Sequence, residues 1–267
     1  MPSVSNVAIG ALQAGAAAHK ARHGMNEAIS RLSTGMRTVY GGDAGGQSMA
    51  NSLLAKSKGY AAAGRNIEDG ISFAQTAESA LIEVGALAQR LFELGIQAGN
   101  DELHSSDDTG AQNAEATAIA DAIDAIAQKT KFNGFAVLAH TTGTDVTYDV
   151  AYSDAADKHT IVSSALDTTQ AATLATAAVG HLFATTLLAQ VAEALGDIAA
   201  SLSALKGHQG VALATAGNLA ASGARIQDVD FAYESANLTK NSILNQSAMA
   251  MVAQANQAQS AVLSVLQ

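Results

Sequence analysis

His19 and His23 stand four residues apart, a spacing that puts two imidazoles on one face of a helix and can hold zinc. Metalloprotease chemistry also needs a glutamate directly after the first histidine, but Lys20 stands there, and His-Glu-x-x-His occurs nowhere in the chain. With no third ligand in reach, the pair reads as polar helix surface. His104, His140, His159, His181 and His208 are scattered. Asp121 and Asp124, three residues apart, could divide acid and base roles, but on a polar helix face they read as solvated carboxylates. Gly35, Gly41, Gly42, Gly45 and Gly46 crowd into a dozen residues. A phosphate cradle would need Lys-Ser/Thr after them and a strand before them, and has neither, so they read as a loop. The absence of cysteine excludes disulfides, thiol catalysis and thiolate-bound metal. Asn237-Leu238-Thr239 and Asn245-Gln246-Ser247 match the N-glycosylation pattern, yet both fall inside a predicted packed helix. The residues point to no catalysis, no metal and no cofactor.

Composition points the same way. Among 267 residues, 48% are hydrophobic, much of that alanine, with no tryptophan, one proline and 4% aromatics. That mixture favours long helices over an aromatic core. No run of eighteen strongly apolar residues is present, so no membrane partner is expected. The N-terminus lacks the basic region, apolar core and cleavage site of a secretory signal. The net charge of −10 is concentrated in the middle of the chain, from Glu68 to Asp124, which argues against a nucleic-acid partner.

The elements that such a chain can build are set by its ends. Val7, Ala11, Ala14, Ala18, Ala21, Met25, Ala28 and Leu32 alternate in steps of four and three, a heptad seam of small residues. The segment from Ala224 to Gln267 contains neither proline nor glycine. Its apolar positions are Ile226, Val229, Tyr233 and Ala236, then, after a phase slip, Leu244, Ala248, Met251, Ala255, Ala258, Val262 and Val265. As one helix it would run roughly 60 Å at 1.5 Å per residue. Alanine-rich seams bury little area at about 25 cal/mol per Å². The two ends are therefore expected to pair weakly and to need neighbouring molecules.

Between them the chain reads as a helix from about Ala44 to Gly99, with Ile67, Ile71, Ala74, Leu81, Val84, Ala88, Leu91 and Ala98 on one face. A polar turn precedes a shorter helix, about Ala111 to Lys129, and Phe132-Asn133-Gly134-Phe135 turns the chain. Alternation at Val146, Tyr148 and Val150, then a polar turn and a second short run, predicts a β-hairpin within about Asp145–Asp167. Thr168 to Gly180 is ambiguous, and helical spacing resumes at Leu188, Val191, Leu195, Ile198, Leu202 and Leu205. The expected fold is mainly α: a long helical coiled-coil rod with one small β-hairpin region and discontinuous domains made from both chain ends.

Four stretches in this order resemble bacterial flagellin over nearly the whole chain. They are Arg31–Arg37 (RLSTGMR), Gly64–Val84 (GRNIEDGISFAQTAESALIEV), Lys131–Leu138 (KFNGFAVL) and the C-terminal segment, notably Arg225-Ile226, Leu238-Thr239-Lys240, Ile243-Leu244 and Ala253-Gln254-Ala255-Asn256-Gln257. Departures are local. Gly41-Gly42-Asp43-Ala44-Gly45-Gly46 stands where the family has Ala-Ala-Asp-Asp-Ala-Ala-Gly, and the large variable outer domains are missing, leaving only the hairpin.

The resemblance implies a structural subunit that self-assembles into the flagellar filament. Residues 1–42 and 226–267 would form an inner coiled-coil domain, disordered in the monomer, and residues 43–225 an outer-core rod domain. It also implies unfolded export through the flagellar type III apparatus and an extracellular location. The implied partners are further copies of the chain, the filament cap, the hook–filament junction proteins and an export chaperone on the C-terminal helix. A hook–filament junction protein shares the terminal helices and is the alternative. Gln89–Gln97 resembles the segment that animal toll-like receptors read in some flagellins, with Arg90, Glu93 and Leu94 at matching places and Phe92 where an arginine is usual. By the same analogy Thr141, Thr142, Thr144, Ser163 and Ser164 are candidates for surface modification.

Overall fold

The computed structural model describes residues 2–37, 42–139, 144–168 and 177–266. Helix α1 spans Pro2–Thr34, α2 Ala44–Ala98 and α3 Ser106–Lys129. Two short strands follow, β1 Lys131–Phe132 and β2 Phe135–Ala136, then β3 Val146–Ala151 and β4 Lys158–Ser163. The chain ends in α4, Ala177–Gln227, and α5, Phe231–Leu266. It divides into two compact units, one of residues 1–55 and 219–267, the other of 56–218, so that the division falls within α2 and within α4.

In the second unit, the predicted stripe of α2 is its buried face. Ile67, Leu81, Val84 and Leu91 pack with Ala120 and Ile123 of α3 and with Leu187, Ile198 and Leu205 of α4 in one apolar core. Phe73 supplies the aromatic centre that composition made scarce: it stacks on Tyr148 of β3 at 4.9 Å and meets the edge of Phe132 at 6.1 Å. A window of α4 is apolar enough to cross a membrane by length and composition, with a mean hydropathy of 1.3. The sequence reading found no such stretch because alanine and glycine break up its large residues. In the folded unit one face of that helix is core.

The short elements are fixed by local chemistry. Helix α3 begins five residues earlier than predicted because Ser105 caps it. The Ser105 hydroxyl accepts from the Asp108 amide at 3.2 Å, and the Asp108 carboxylate accepts from the Ser105 amide at 3.1 Å. The Ser105 hydroxyl also donates to that carboxylate at 2.7 Å, and this bond, with that from the amide, holds the Asp108 carboxyl below its usual range. Between β1 and β2, Asn133 and Gly134 take φ of 48° and 85°, the left-handed pair that a two-residue hairpin loop requires. Strands β3 and β4 pair antiparallel from Val146↔Ser163 to Ala151↔Lys158. The turn between them is tied by Ser153, whose hydroxyl accepts from the Asp157 amide at 3.0 Å, and it forces Ala156 to φ 59°.

In the first unit, the expected single helix from Ala224 to Gln267 is interrupted at Asp228–Asp230. The reason lies in the residues. The Asp230 carboxylate accepts from the amides of Ala232 at 2.9 Å and Tyr233 at 3.1 Å, so it caps the start of α5. The backbone just before it is engaged elsewhere: Asp228 bridges to Met36, and the Val229 amide donates to Gly35 O at 3.0 Å.

Candidate functional site

The sequence places its candidate site on the two terminal helices, and their geometry follows from a few contacts. Arg31 lies 3.6 Å from Glu234, and a Cβ on Gly24 would sit 2.7 Å from the Asn241 Nδ2. Late residues of α1 thus meet early residues of α5, and moving back along one helix moves forward along the other, so the pair is antiparallel. At the end of α1, Gly35 turns the chain with φ 69°. The Arg37 amide then donates to Gln227 O at 2.7 Å. Its guanidinium donates to Ile226 O at 3.1 and 3.2 Å and to Asp43 at 3.0 Å. This small knot of backbone and arginine fixes where the two helices start to run alongside each other.

On α1 the seam residues lie on the covered face: Ala18, Ala21 and Ala28 are buried, and Ala11, Ala14, Met25 and Leu32 are half-buried. On the C-terminal side the placement divides. Val229 is buried, Ile226 and Ala255 are half-buried, but Tyr233, Leu244 and Met251 are 67%, 48% and 60% exposed. The side chains of Val7, Val262 and Val265 lie outside the described residues.

The covered face of α5 runs through Glu234, Leu238, Asn241, Asn245, Ala248, Val252 and Ala255, in steps of three and four. Sequence reasoning placed Ala248 and Ala255 on the apolar side of this helix but missed the polar members of the covered face, Glu234, Asn241 and Asn245, because it followed apolar residues. Glu234 is 4% exposed and faces the Arg31 guanidinium, while Asn245 Oδ1 is buried without a hydrogen-bond partner. Most of the large apolar residues point outward: Phe231, Tyr233, Ile243, Leu244, Met249 and Met251 on α5, and Ile9, Leu12 and Ile29 on α1. The N-cap pattern Asp-x-x before an apolar run was the signal for the helix break.

In the second unit, Arg90 is held on the surface by Glu115 at 2.8 Å and Glu93 at 3.3 Å. Leu94 is 1% exposed, within the core. Phe92 lies 4.9 Å from the His181 ring. Of the hydroxyls considered for modification, Ser163 is fully buried and Ser164 is half-buried with its hydroxyl donating to Asp197, which corrects their reading as exposed. Thr144 is exposed, and Thr141 and Thr142 lie outside the described residues. His23 approaches Glu27 at 3.6 Å, and among the described residues no three His, Asp or Glu side chains gather closely enough to hold a metal ion.

Comparison with known proteins adds a family to this geometry. The bacterial flagellin N-terminal helical region matches residues 6–142, and the bacterial flagellin C-terminal helical region matches residues 183–266. Flagellin of Halalkalibacterium halodurans is 34% identical over 248 residues, covering 90% of this chain and 91% of that protein. Flagellin of Bacillus subtilis is 33% identical, covering 89% and 91%. The flagellar filament 33 kDa core protein of Treponema phagedenis is 34% identical, with the same coverage. With both terminal regions matched, and full-length relatives above 30% identity, the chain belongs to the bacterial flagellin family.

Proposed function

We propose that this protein is the structural subunit of a flagellar filament, a homopolymer whose contacts come from the paired chain ends and which performs no catalysis. The observation that carries the reading is the division of faces on α1 and α5. Their shared face is mostly alanine with Glu234, Asn241 and Asn245 and a few half-buried apolar residues, Met25, Leu32, Leu238 and Val252, while most of the large apolar side chains point away from it. A lone chain gains nothing from that arrangement, because exposed Phe, Ile, Leu and Met cost hydration free energy. Packing against further copies removes the cost, and contacts that do not close on themselves extend into a helix of subunits.

In this reading residues 1–42 and 226–267 form the inner coil of the filament and residues 43–225 its outer-core rod. The seam residues Val7 to Leu32 and Ile226 to Val265 serve self-assembly. The chain is exported unfolded and acts outside the cell. Its finer partners are the filament cap, the junction proteins and an export chaperone on α5. Recognition of Arg90, Glu93 and Leu94 by an animal receptor would require Leu94 to leave the core, since it is buried in the folded chain.

The test is electron microscopy of the purified chain incubated with sheared filament fragments as seeds. Long, uniform helical filaments are the expected result. A persistent monomer, or short caps bound only at fragment ends, would reject the subunit reading in favour of a junction protein.

A further inference from the structure

The β3–β4 hairpin rests on α2 and α4 through a small set of contacts, and its outer half contains an unusual grouping. The Tyr152 ring stacks on His208 of α4 with centroids 4.1 Å apart and planes inclined by 20°. His159 of β4 lies 5.7 Å from the same His208 ring. The Nε2 of His159 is buried and has no hydrogen-bond partner. At the turn, Asp154 packs against Gly59 of α2, where a Cβ would come within 3.1 Å, and its carboxylate lies near enough to the Tyr60 hydroxyl to raise that phenol above its ordinary value.

We propose that His159, packed against His208, forms an acid-sensitive clasp, which holds the outer half of the hairpin on α4 while the His159 imidazole is neutral and releases it on protonation. A neutral imidazole can leave one ring nitrogen unpaired at modest cost. An imidazolium has two donors and a charge, and at His159 the buried nitrogen has no acceptor among its protein neighbours. The charged groups around the pair do not relieve this. On the hairpin, Asp154 and Asp157 act on Tyr60 of α2, while Lys158 is 3.4 Å from Asp149. On α2, Glu68 takes a bond from Gln209 of α4 at 3.2 Å. Among the described residues, the charge-bearing group acting on His159 is His208, which is of like sign when protonated.

Burial and this neighbour hold the His159 imidazole below its ordinary value of 6.5. A depressed histidine binds its proton less well in the docked hairpin than in the released one. Docking is therefore at full strength above pH 6.5 and weakens as the pH falls from there through the docked-state value.

The chain has no cysteine, so nitroxides at Ala155→Cys and Lys206→Cys, both exposed, report uniquely on the hairpin turn against α4. Double electron–electron resonance should give one narrow distance at pH 7.5 and a longer, broader population growing between pH 6.5 and 5. One linked proton changes the open-to-closed ratio by up to about tenfold per pH unit. In His159→Leu the narrow distance should persist to pH 5, whereas His208→Phe, which keeps the stack on Tyr152 and leaves the His159 nitrogen buried, should still open over this range. Far-UV circular dichroism recorded alongside should stay constant. A parent hairpin that stays closed at pH 5, opens equally in His159→Leu, or opens only as helix is lost overturns the clasp.

Discussion

Single residues carry much of the local geometry, and their legibility depends on whether the constraint is short-range. The Asn133-Gly134 turn is readable because two consecutive left-handed residues favour asparagine and glycine over almost anything else. Ser105 and Asp230 were equally local as helix caps but stood among other polar residues, where no single one announces itself. Ala156 could not be read at all: alanine signals nothing about a φ of 59°, which is imposed by the bonds of Ser153 across the turn. It holds a conformation that costs an L-residue with a Cβ about 1–2 kcal/mol, against which glycine loses part of the gain through its freer unfolded chain. Ala156→Gly is expected to stabilise the second unit by about 0.5–1 kcal/mol. The shift would be measured as an increase in the urea midpoint at unchanged slope.

At the scale of elements, the helices of the second unit are legible from their 3.6-residue spacing, because a core shared by α2, α3 and α4 selects large apolar residues on one face of each. How closely two of them approach is not written in that spacing. A Cβ on Gly95 of α2 would lie 2.7 Å from the backbone nitrogen of His181 and 2.8 Å from its Cα, so α4 comes down onto α2 at a position that has no side chain. Gly95→Ala sets two effects against each other. Helix propensity favours alanine by about 0.8–1 kcal/mol. Overpacking against a backbone that cannot rotate away costs typically 1–3 kcal/mol. Because the obstructing atoms are main chain rather than the tip of a flexible side chain, overpacking wins, and a net loss of about 1–2 kcal/mol in chemical denaturation is expected. Stabilisation by this substitution would mean that α2 and α4 can slide apart freely at this point.

For the whole molecule, the same habit of reading large apolar residues as the inward face succeeds in one unit and misleads in the other. It succeeds where a core is completed within the chain. On α5 the chain's own partner helix takes the face of Glu234, Asn241, Asn245 and Ala248, and most of the large apolar residues are left outside. No single-chain argument assigns them a neighbour; in the proposed filament the atoms that cover them belong to other copies. Substitutions on the two faces should therefore separate folding from assembly. Ile243→Asp and Met251→Asp change residues that are 57% and 60% exposed in the single chain. Each should leave the circular dichroism and melting of the monomer within about 0.5 kcal/mol of the parent, as surface substitutions do. Each should also slow seeded elongation at least tenfold, since placing a carboxylate in an apolar subunit contact costs more than the roughly 1.4 kcal/mol that a factor of ten represents. Seeded growth followed by light scattering, with electron microscopy of the product, distinguishes the two effects. If both variants elongate at the parental rate, the outward face of α5 is not the surface on which subunits meet, and the contacts must be sought elsewhere on the chain.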